Sequence, residues 1–416
     1  MRRFTFFAAM AALVVSAVSC QETISGGDAE NNPYKPLTLS TKSAEFVQKG
    51  QSFAFEFISR IEAAKDEYII SPLSMQFLLG MILDGAQEET ADEICNVLGY
   101  GAGEVQAVNE YCLQMLEQLP AIDKQTKLSI ANAIFVDDGW PLLDSYKADV
   151  SRYFQAEVAN LDFTDNAGSL KTINGWCDKN TNGLIPKVLD EVSPDMLCYL
   201  LNALYFKSQW MNKFQKNATA DESFTDEAGT KGRVPMMKQE KSYLYDENDL
   251  FQVVRIPYGN GAFALYAFLP LSGHEVSDVI AWLKKSDWDA FRSSLSGCEV
   301  DLWLPKFETK FRMKLNEILS QMGMPRSFDG HRANFQAMSQ YALCLSFVQQ
   351  DAIIKVDEEG TEAAAISSAG MMKNTSVGAP EPHVVFHADH PFLYLITESS
   401  TGAILFAGKY NHVQSK

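Results

Sequence analysis

Three histidines, His383, His387 and His390 in HVVFHADH, stand four and three residues apart. On a helix that spacing would put three imidazoles on one face, where their ring nitrogens could bind zinc. Pro382, the Val384–Val385 pair and Pro391 favour extended chain instead, which sends the three side chains in different directions. The stretch therefore reads as strand and turn, and no metal is expected. GAGEVQ (101–106) opens like a dinucleotide-binding glycine loop but lacks the third glycine and a preceding strand. The chain has no G-x-S-x-G elbow, no H-E-x-x-H and no Walker loop, so no enzyme reading has a supporting site and no cofactor is expected.

A second stretch raises a different chemistry. VDEEGTEAAAISSAGMMKNTSVG (356–378) has an acidic entry and a glycine, then a run of alanine, serine and threonine, then two methionines, a lysine and an asparagine. Turns use Gly, Pro, Asn and Asp at fixed positions, and helices carry larger apolar residues at helical spacing. Neither pattern is present.

The chain as a whole has 416 residues, 46% hydrophobic, enough for a large buried core. It carries 35 basic against 53 acidic residues, a net charge of −18, with no clustered basic face, so nucleic acid is excluded as a partner. The helical candidate around 104–120 has Glu104, Glu110 and Glu117 and neither lysine nor arginine. Arg2 and Arg3 precede an apolar run, Phe4 to Val18, too short to span a bilayer but right for an export signal. The run ends Ala17-Val18-Ser19-Cys20, which resembles a bacterial lipobox and makes Cys20 the expected lipidation site, after a signal peptide of residues 1–19. Residues 20–36 are polar and rich in Gly, Asn and Pro, and read as a tether. The expectation is a lipoprotein of the bacterial cell envelope, on the outer membrane, touching the membrane only through its N-terminal lipid. Cys95, Cys112, Cys177, Cys198, Cys298 and Cys344 lack zinc-site spacing and read as buried free thiols.

The remaining elements must position whatever the 356–378 stretch does. SFAFEFISRIEAA (52–64) has helical apolar spacing; IISPLSMQFLLGMILDGA (69–86) follows, with Ser71 as N-cap and Pro72 at the first helical position. TADEICNVLGY is expected to start a helix with Thr90 as N-cap and Glu93 completing a capping box. Strands are expected in KLSIANAIFV, CYLLNALYFKSQW, FQVVRIPYG, FALYAFLPL and CEVDLWLPKFE, and a hairpin in FLYLITESSTGAILFAGKY. Helices in front, strands later and no βα alternation indicate one α+β domain over residues 37–416.

Read together, these segments resemble the serpin family. The resemblance rests on YIISPLSMQFLLGMILDGAQEETADEICNVLG, LLNALYFKSQWMNKF, ANFQAMS (333–339) and HPFLYLITESSTGAILFAGKY, four motifs in family order. It implies three β-sheets with about eight to nine helices and an exposed reactive-centre loop at about 358–382. It also implies a suicide-substrate inhibitor of serine, and by extension cysteine, endopeptidases: a monomer, not an enzyme, with no glycosaminoglycan cofactor. The alternative on the same fold is a non-inhibitory binding protein. In such inhibitors the cleaved loop enters the main sheet as a new strand. The expected hinge is Glu358, Gly360, Thr361, Glu362, Ala363, Ala364 and Ala365. Alternation puts Thr361, Ala363, Ala365, Ser367, Ala369 and Met371 on one face, free of charge, with Glu362 on the other. The family's shutter and breach map onto Ser71, Ser74, Asn202 and Trp210, with Gln350 where a histidine is usual. Counting from Gly360 places the scissile bond at Asn374–Thr375, but Lys373 suits a trypsin-like pocket. Lys373–Asn374 is the expected reactive bond, with Met371, Met372 and Thr375 as alternates.

Overall fold

The computed structural model describes residues 32–361 and 382–412. The first elements are α1 (Thr41–Glu62), β1 (Tyr68–Ile70), α2 (Pro72–Asp84), α3 (Glu88–Val97) and α4 (Val105–Gln118). A mixed region follows: β2 (Lys127–Asp137), α5 (Asp144–Tyr153), β3 (Glu157–Leu161), α6 (Asn166–Asn180) and β4 (Cys198–Gln209). The next strands are β5 (Ala220–Thr225), β6 (Lys231–Glu247), β7 (Phe251–Tyr258) and β8 (Phe263–Pro270), before α7 (Val276–Leu283) and α8 (Trp288–Ser294). Then come β9 (Ser296–Pro305), β10 (Phe307–Lys314), α9 (Asn316–Met322), β11 (Gln349–Asp357), β12 (Gly360–Thr361), β13 (His383–His387), β14 (Phe392–Glu398) and β15 (Ile404–Tyr410).

Local chemistry explains several boundaries. Ser40 caps α1 through its side chain, and Phe46, Phe53 and Phe57 form a buried stripe along that helix. Ser71 caps α2, accepting from the Ser74 N–H, and Pro72 occupies the first turn, where a missing N–H costs nothing. All of α2 but Asp84 is buried, so it reads as continuously apolar rather than amphipathic.

The strands form two hydrogen-bonded sheets. Six strands lie in the order β10-β11-β12-β4-β2-β3; nine more run β1-β15-β14-β8-β7-β6-β9-β13, with β5 on β6. Two of the three expected sheets are continuous here because β6 is 17 residues long. Its first part pairs with β5 and its last residues pair with β7, while β9 runs along it from Met236 to Tyr245. The N-terminal half of α2 touches both sheets, at β4 and β15, and a second, smaller core of Phe135, Trp176 and Tyr199 lies under α6.

Three expectations are corrected. Helix α3 starts at Glu88 with Gln87 as N-cap, not at Thr90. The Thr90 hydroxyl accepts from the Asn334 N–H (2.9 Å) and the Glu93 carboxylate from the Arg326 N–H (2.9 Å), so both are committed to a distant segment. The stretch 298–308 is two strands, β9 and β10, broken at Lys306, whose N–H turns to the Pro235 carbonyl. All six cysteines here are free, but only Cys95, Cys112, Cys177 and Cys298 are buried; Cys198 is half-buried and Cys344 exposed. Cys344 lies in an irregular segment ahead of β11, where no element covers it.

Candidate functional site

The site is the upper end of the six-stranded sheet, where β12 stands between β11 and β4. The described residues of β12 are Gly360 and Thr361. Gly360 faces Gln209 on β4 and Asp357 on β11; Thr361 faces Ser208 and Val356. Beyond these two rows, β4 and β11 share no ladder among the described residues; β12 alone joins them in the strand order. Below Thr361 the facing edges of 198–207 and 349–355, the two sides of the slot, therefore have no ladder partner among the described residues. A cavity of about 270 Å³, lined among others by Leu78, Met196, Leu200, Phe335 and Met338, lies at its foot.

Glycine is required at position 360 on two counts. Its φ of 154° is a conformation other residues rarely adopt, and a Cβ there would come within 2.0 Å of the Ser208 carbonyl oxygen. Thr361 is buried, its hydroxyl 2.6 Å from the Tyr258 hydroxyl. Trp210 stacks on Tyr258 with ring centres 4.3 Å apart. Its indole N–H donates to the Asp357 carbonyl (2.8 Å), and its backbone N–H to the Glu359 carbonyl (2.9 Å). The tryptophan thus fixes the turn that feeds β12.

Charge pairs hold the same turn. The Glu358 carboxylate meets Lys306 (2.9 Å) and accepts from the Thr219 hydroxyl (2.9 Å). Burial pushes Glu358 up, but a hydrogen bond from its own backbone, with Lys306 and Thr219, outweighs it and holds the carboxyl below its ordinary value. Glu359, held low chiefly by Lys213, pairs with Lys213 (2.9 Å) and Lys216 (3.1 Å).

Deeper in the slot, Ser71 and Ser74 at the start of α2 meet both walls separately. Gln350 on β11 donates to the Ser71 carbonyl (2.8 Å) and accepts from the Ser71 N–H (3.1 Å). The Ser71 hydroxyl donates to the Leu405 carbonyl (2.7 Å). Ser74 donates to Asn202 on β4, and Asn202 donates to Asn132 (2.7 Å), which donates to the Phe154 carbonyl (2.6 Å). Gln350 thus uses both halves of its amide on one backbone residue. Asn132 completes the β4 side and was not singled out in the sequence; its position opposite Asn202 in the β2–β4 ladder is the signal that identifies it.

Of the expected site residues, Glu358, Gly360, Thr361 and Trp210 gather at the mouth of the slot, and Ser71, Ser74, Asn202 and Gln350 lie within it. Cys20, Glu362, Ala363, Ala364, Ala365, Met371, Met372, Lys373, Asn374 and Thr375 lie outside the described residues. The three histidines take separate partners: His383 Glu240 (3.0 Å), His387 Asp301 (2.9 Å) and His390 Asp389 (2.7 Å). Strand β13, which carries His383 and His387, pairs in parallel with β9 at the sheet edge.

Comparison with known proteins gives this geometry its context. Residues 48–413 match the sequence model of the family described as Serpin (serine protease inhibitor). Iripin-3 of Ixodes ricinus is 32% identical, over 84% of this chain and 89% of its own. Human neuroserpin is 29% identical, over 84% and 87%. Among solved structures, native tengpin, a thermophilic serpin, superposes with a TM-score of 0.80 at 27% identity, covering 92% of this chain and 97% of its own. Thyroxine-binding globulin in complex with thyroxine superposes at 0.79 and 26%, covering 89% and 100%. Most serpins inhibit serine proteases, while some, thyroxine-binding globulin among them, are non-inhibitory. With a family match across nearly all the described residues and relatives matched over most of their length, this chain belongs to the serpin family.

Proposed function

We propose that this protein is a suicide-substrate inhibitor of serine endopeptidases, extending to cysteine proteases, anchored to the bacterial outer membrane by a lipid on Cys20. The observation that supports the reading is β12: Gly360 and Thr361, the start of the loop, pair with both β11 and β4, which share no ladder with each other among the described residues. Continued downward, its register would set Ala363 opposite Phe206 and Ile354, Ala365 opposite Leu204 and Ala352, and Ser367 opposite Asn202 and Gln350. Of these neighbours Phe206, Ile354, Ala352 and Gln350 are buried. The small, uncharged face of the loop is thus the one that would enter the core, where larger side chains would cost roughly 1–3 kcal/mol each.

The chemistry belongs to the protease. Its serine hydroxyl attacks the Lys373 carbonyl, an ester bond forms, the Lys373–Asn374 amide bond breaks, and the proton passes to the departing Asn374 amine. The loop N-terminal to the cut then enters the slot, carrying the protease with it and distorting it before water can release the ester. Stored strain in the uncut molecule drives the step.

Incubation with trypsin, read on a denaturing gel, tests the reading. A covalent band is expected, with a released fragment beginning at Asn374 by mass spectrometry. Clipping without a covalent band would instead favour a non-inhibitory binding protein.

A further inference from the structure

The first described residues, 32–40, lie along the body as a strap. Tyr34, Leu37 and Leu39 pack against the main core. Side chains of the body hold the strap's backbone. The Ser400 hydroxyl accepts from the Leu37 N–H (3.0 Å), and Gln114 accepts from the Ser40 N–H (2.9 Å). Gln118 accepts from the Thr38 N–H (2.8 Å) and donates to the Thr38 carbonyl (2.9 Å). At the head of the strap, the Asn32 amide uses both of its ends. Its nitrogen donates to the Asp123 carboxylate (2.7 Å), and its oxygen accepts from the Lys124 N–H (3.0 Å) and the Asn260 amide (3.4 Å). The backbone donor of Lys124 fixes which end is which.

Asp123 stands in the turn ahead of β2 and is 1% exposed, so its carboxylate depends on donors from the protein. Besides Asn32 it receives the Gln125 N–H (3.0 Å) and the Thr126 hydroxyl (2.5 Å). The one Thr126 hydroxyl proton is thereby committed, so Ser208, 2.6 Å away, donates to the Thr126 oxygen. Ser208 is buried on β4, directly opposite Thr361. A second branch leaves Asp123 through the hairpin turn between β7 and β8. Gly259, with φ 45°, packs so closely that a Cβ would come within 1.9 Å of the Asp123 carboxylate. Its N–H donates to the Gln209 carbonyl (2.9 Å), and its neighbour Tyr258 carries the hydroxyl that meets Thr361. Both branches from Asp123 end on Thr361, one from each sheet.

We propose that Asn32 is a positioning residue: by completing the donor set of Asp123 it braces Ser208 and the β7–β8 turn on either side of Thr361, and so raises the share of protease encounters that end in trapping. The effect on trapping rests on the inhibitor reading above; the brace itself does not. Without the Asn32 amide, Asp123 is one donor short and is drawn toward water, which loosens the Thr126–Ser208 link. Thr361 then meets a β4 edge that is less firmly held. Delay at that first row favours hydrolysis of the ester over insertion.

Asn32→Ala in the full chain tests the brace by two readouts. Hydrogen exchange of the amides of 205–210 is expected to quicken roughly three- to tenfold, the scale of one lost hydrogen bond, while β14 and β15 keep their rates. The number of inhibitor molecules consumed per trypsin trapped should rise roughly two- to fivefold. In a Ser208→Ala background the relay is already cut, and Asn32→Ala should add nothing to that number. Thr126→Val breaks the same relay and replaces Ser208→Ala if that variant does not fold. A merely structural strap would lower Tm, quicken exchange across both sheets alike and leave the stoichiometry unchanged, and that result overturns the proposal. Additive effects of Asn32→Ala and Ser208→Ala overturn it as well. If the natural protein does not trap trypsin, the inhibitor reading fails and the exchange rates alone decide the brace: unchanged rates at 205–210 overturn it.

Discussion

Thr361 is the last of the described hinge residues, and its burial against the Tyr258 hydroxyl leaves no room for a charge. Thr361→Arg would bury an unpaired guanidinium, at a cost of several kcal/mol. Insertion should slow until hydrolysis overtakes it. The variant is expected to be cleaved by trypsin without trapping it; unchanged trapping stoichiometry would mean that this residue does not face the core. A second residue reports on pH. Burial raises the Asp84 carboxyl from its ordinary 3.8 to about 6, against the opposing hydrogen bond from Asn109. Between those values the folded protein holds a proton that the unfolded chain has released, so stability falls as pH rises from about 4 to 6 and stays lower above. Asp84→Asn keeps the acceptor for Asn109 and removes the charge. It is expected to gain roughly 1–3 kcal/mol at pH 7 in urea unfolding and to flatten the change between pH 4 and 6.

Helix α2 is the element on which both walls of the slot hang, through Ser71 and Ser74. Ser71→Ala removes the N-cap and the bond to Leu405 together, and is expected to destabilise the uncut protein by about 1–3 kcal/mol in thermal or urea unfolding. The Ser71–Pro72 boundary was readable in the sequence because a cap is chemistry between near neighbours. So was the hairpin of β14 and β15, whose partners are adjacent. The start of α3 was not, because the Thr90 hydroxyl and the Glu93 carboxylate serve backbone N–H groups more than 200 residues away. Strand β6 escaped notice for a related reason: its apolar residues obey different partners along its length, and Pro235 interrupts the pattern. At the site, Thr361 is buried on the side that the period-two alternation assigns it, while the rest of the hinge lies outside the described residues. The part played by Asn132 was not legible, because register across β2 and β4 is what brings it to Asn202.

For the whole molecule, what matters is what happens between β4 and β11 when the loop is cut. Among the described residues, β4 and β11 are joined only through Gly360 and Thr361 of β12, and both are tied to α2. A strand laid into the slot would pair backbone groups on both of its edges and bury the small face of the loop. On the proposed inhibitor reading, the uncut protein is held short of its most stable arrangement, and a single cut would release it. The direct measurement is thermal unfolding of the full chain before and after one nick between residues 370 and 376. The account predicts a cleaved form that melts well above the intact one; a cleaved form that melts at or below the intact temperature would contradict insertion.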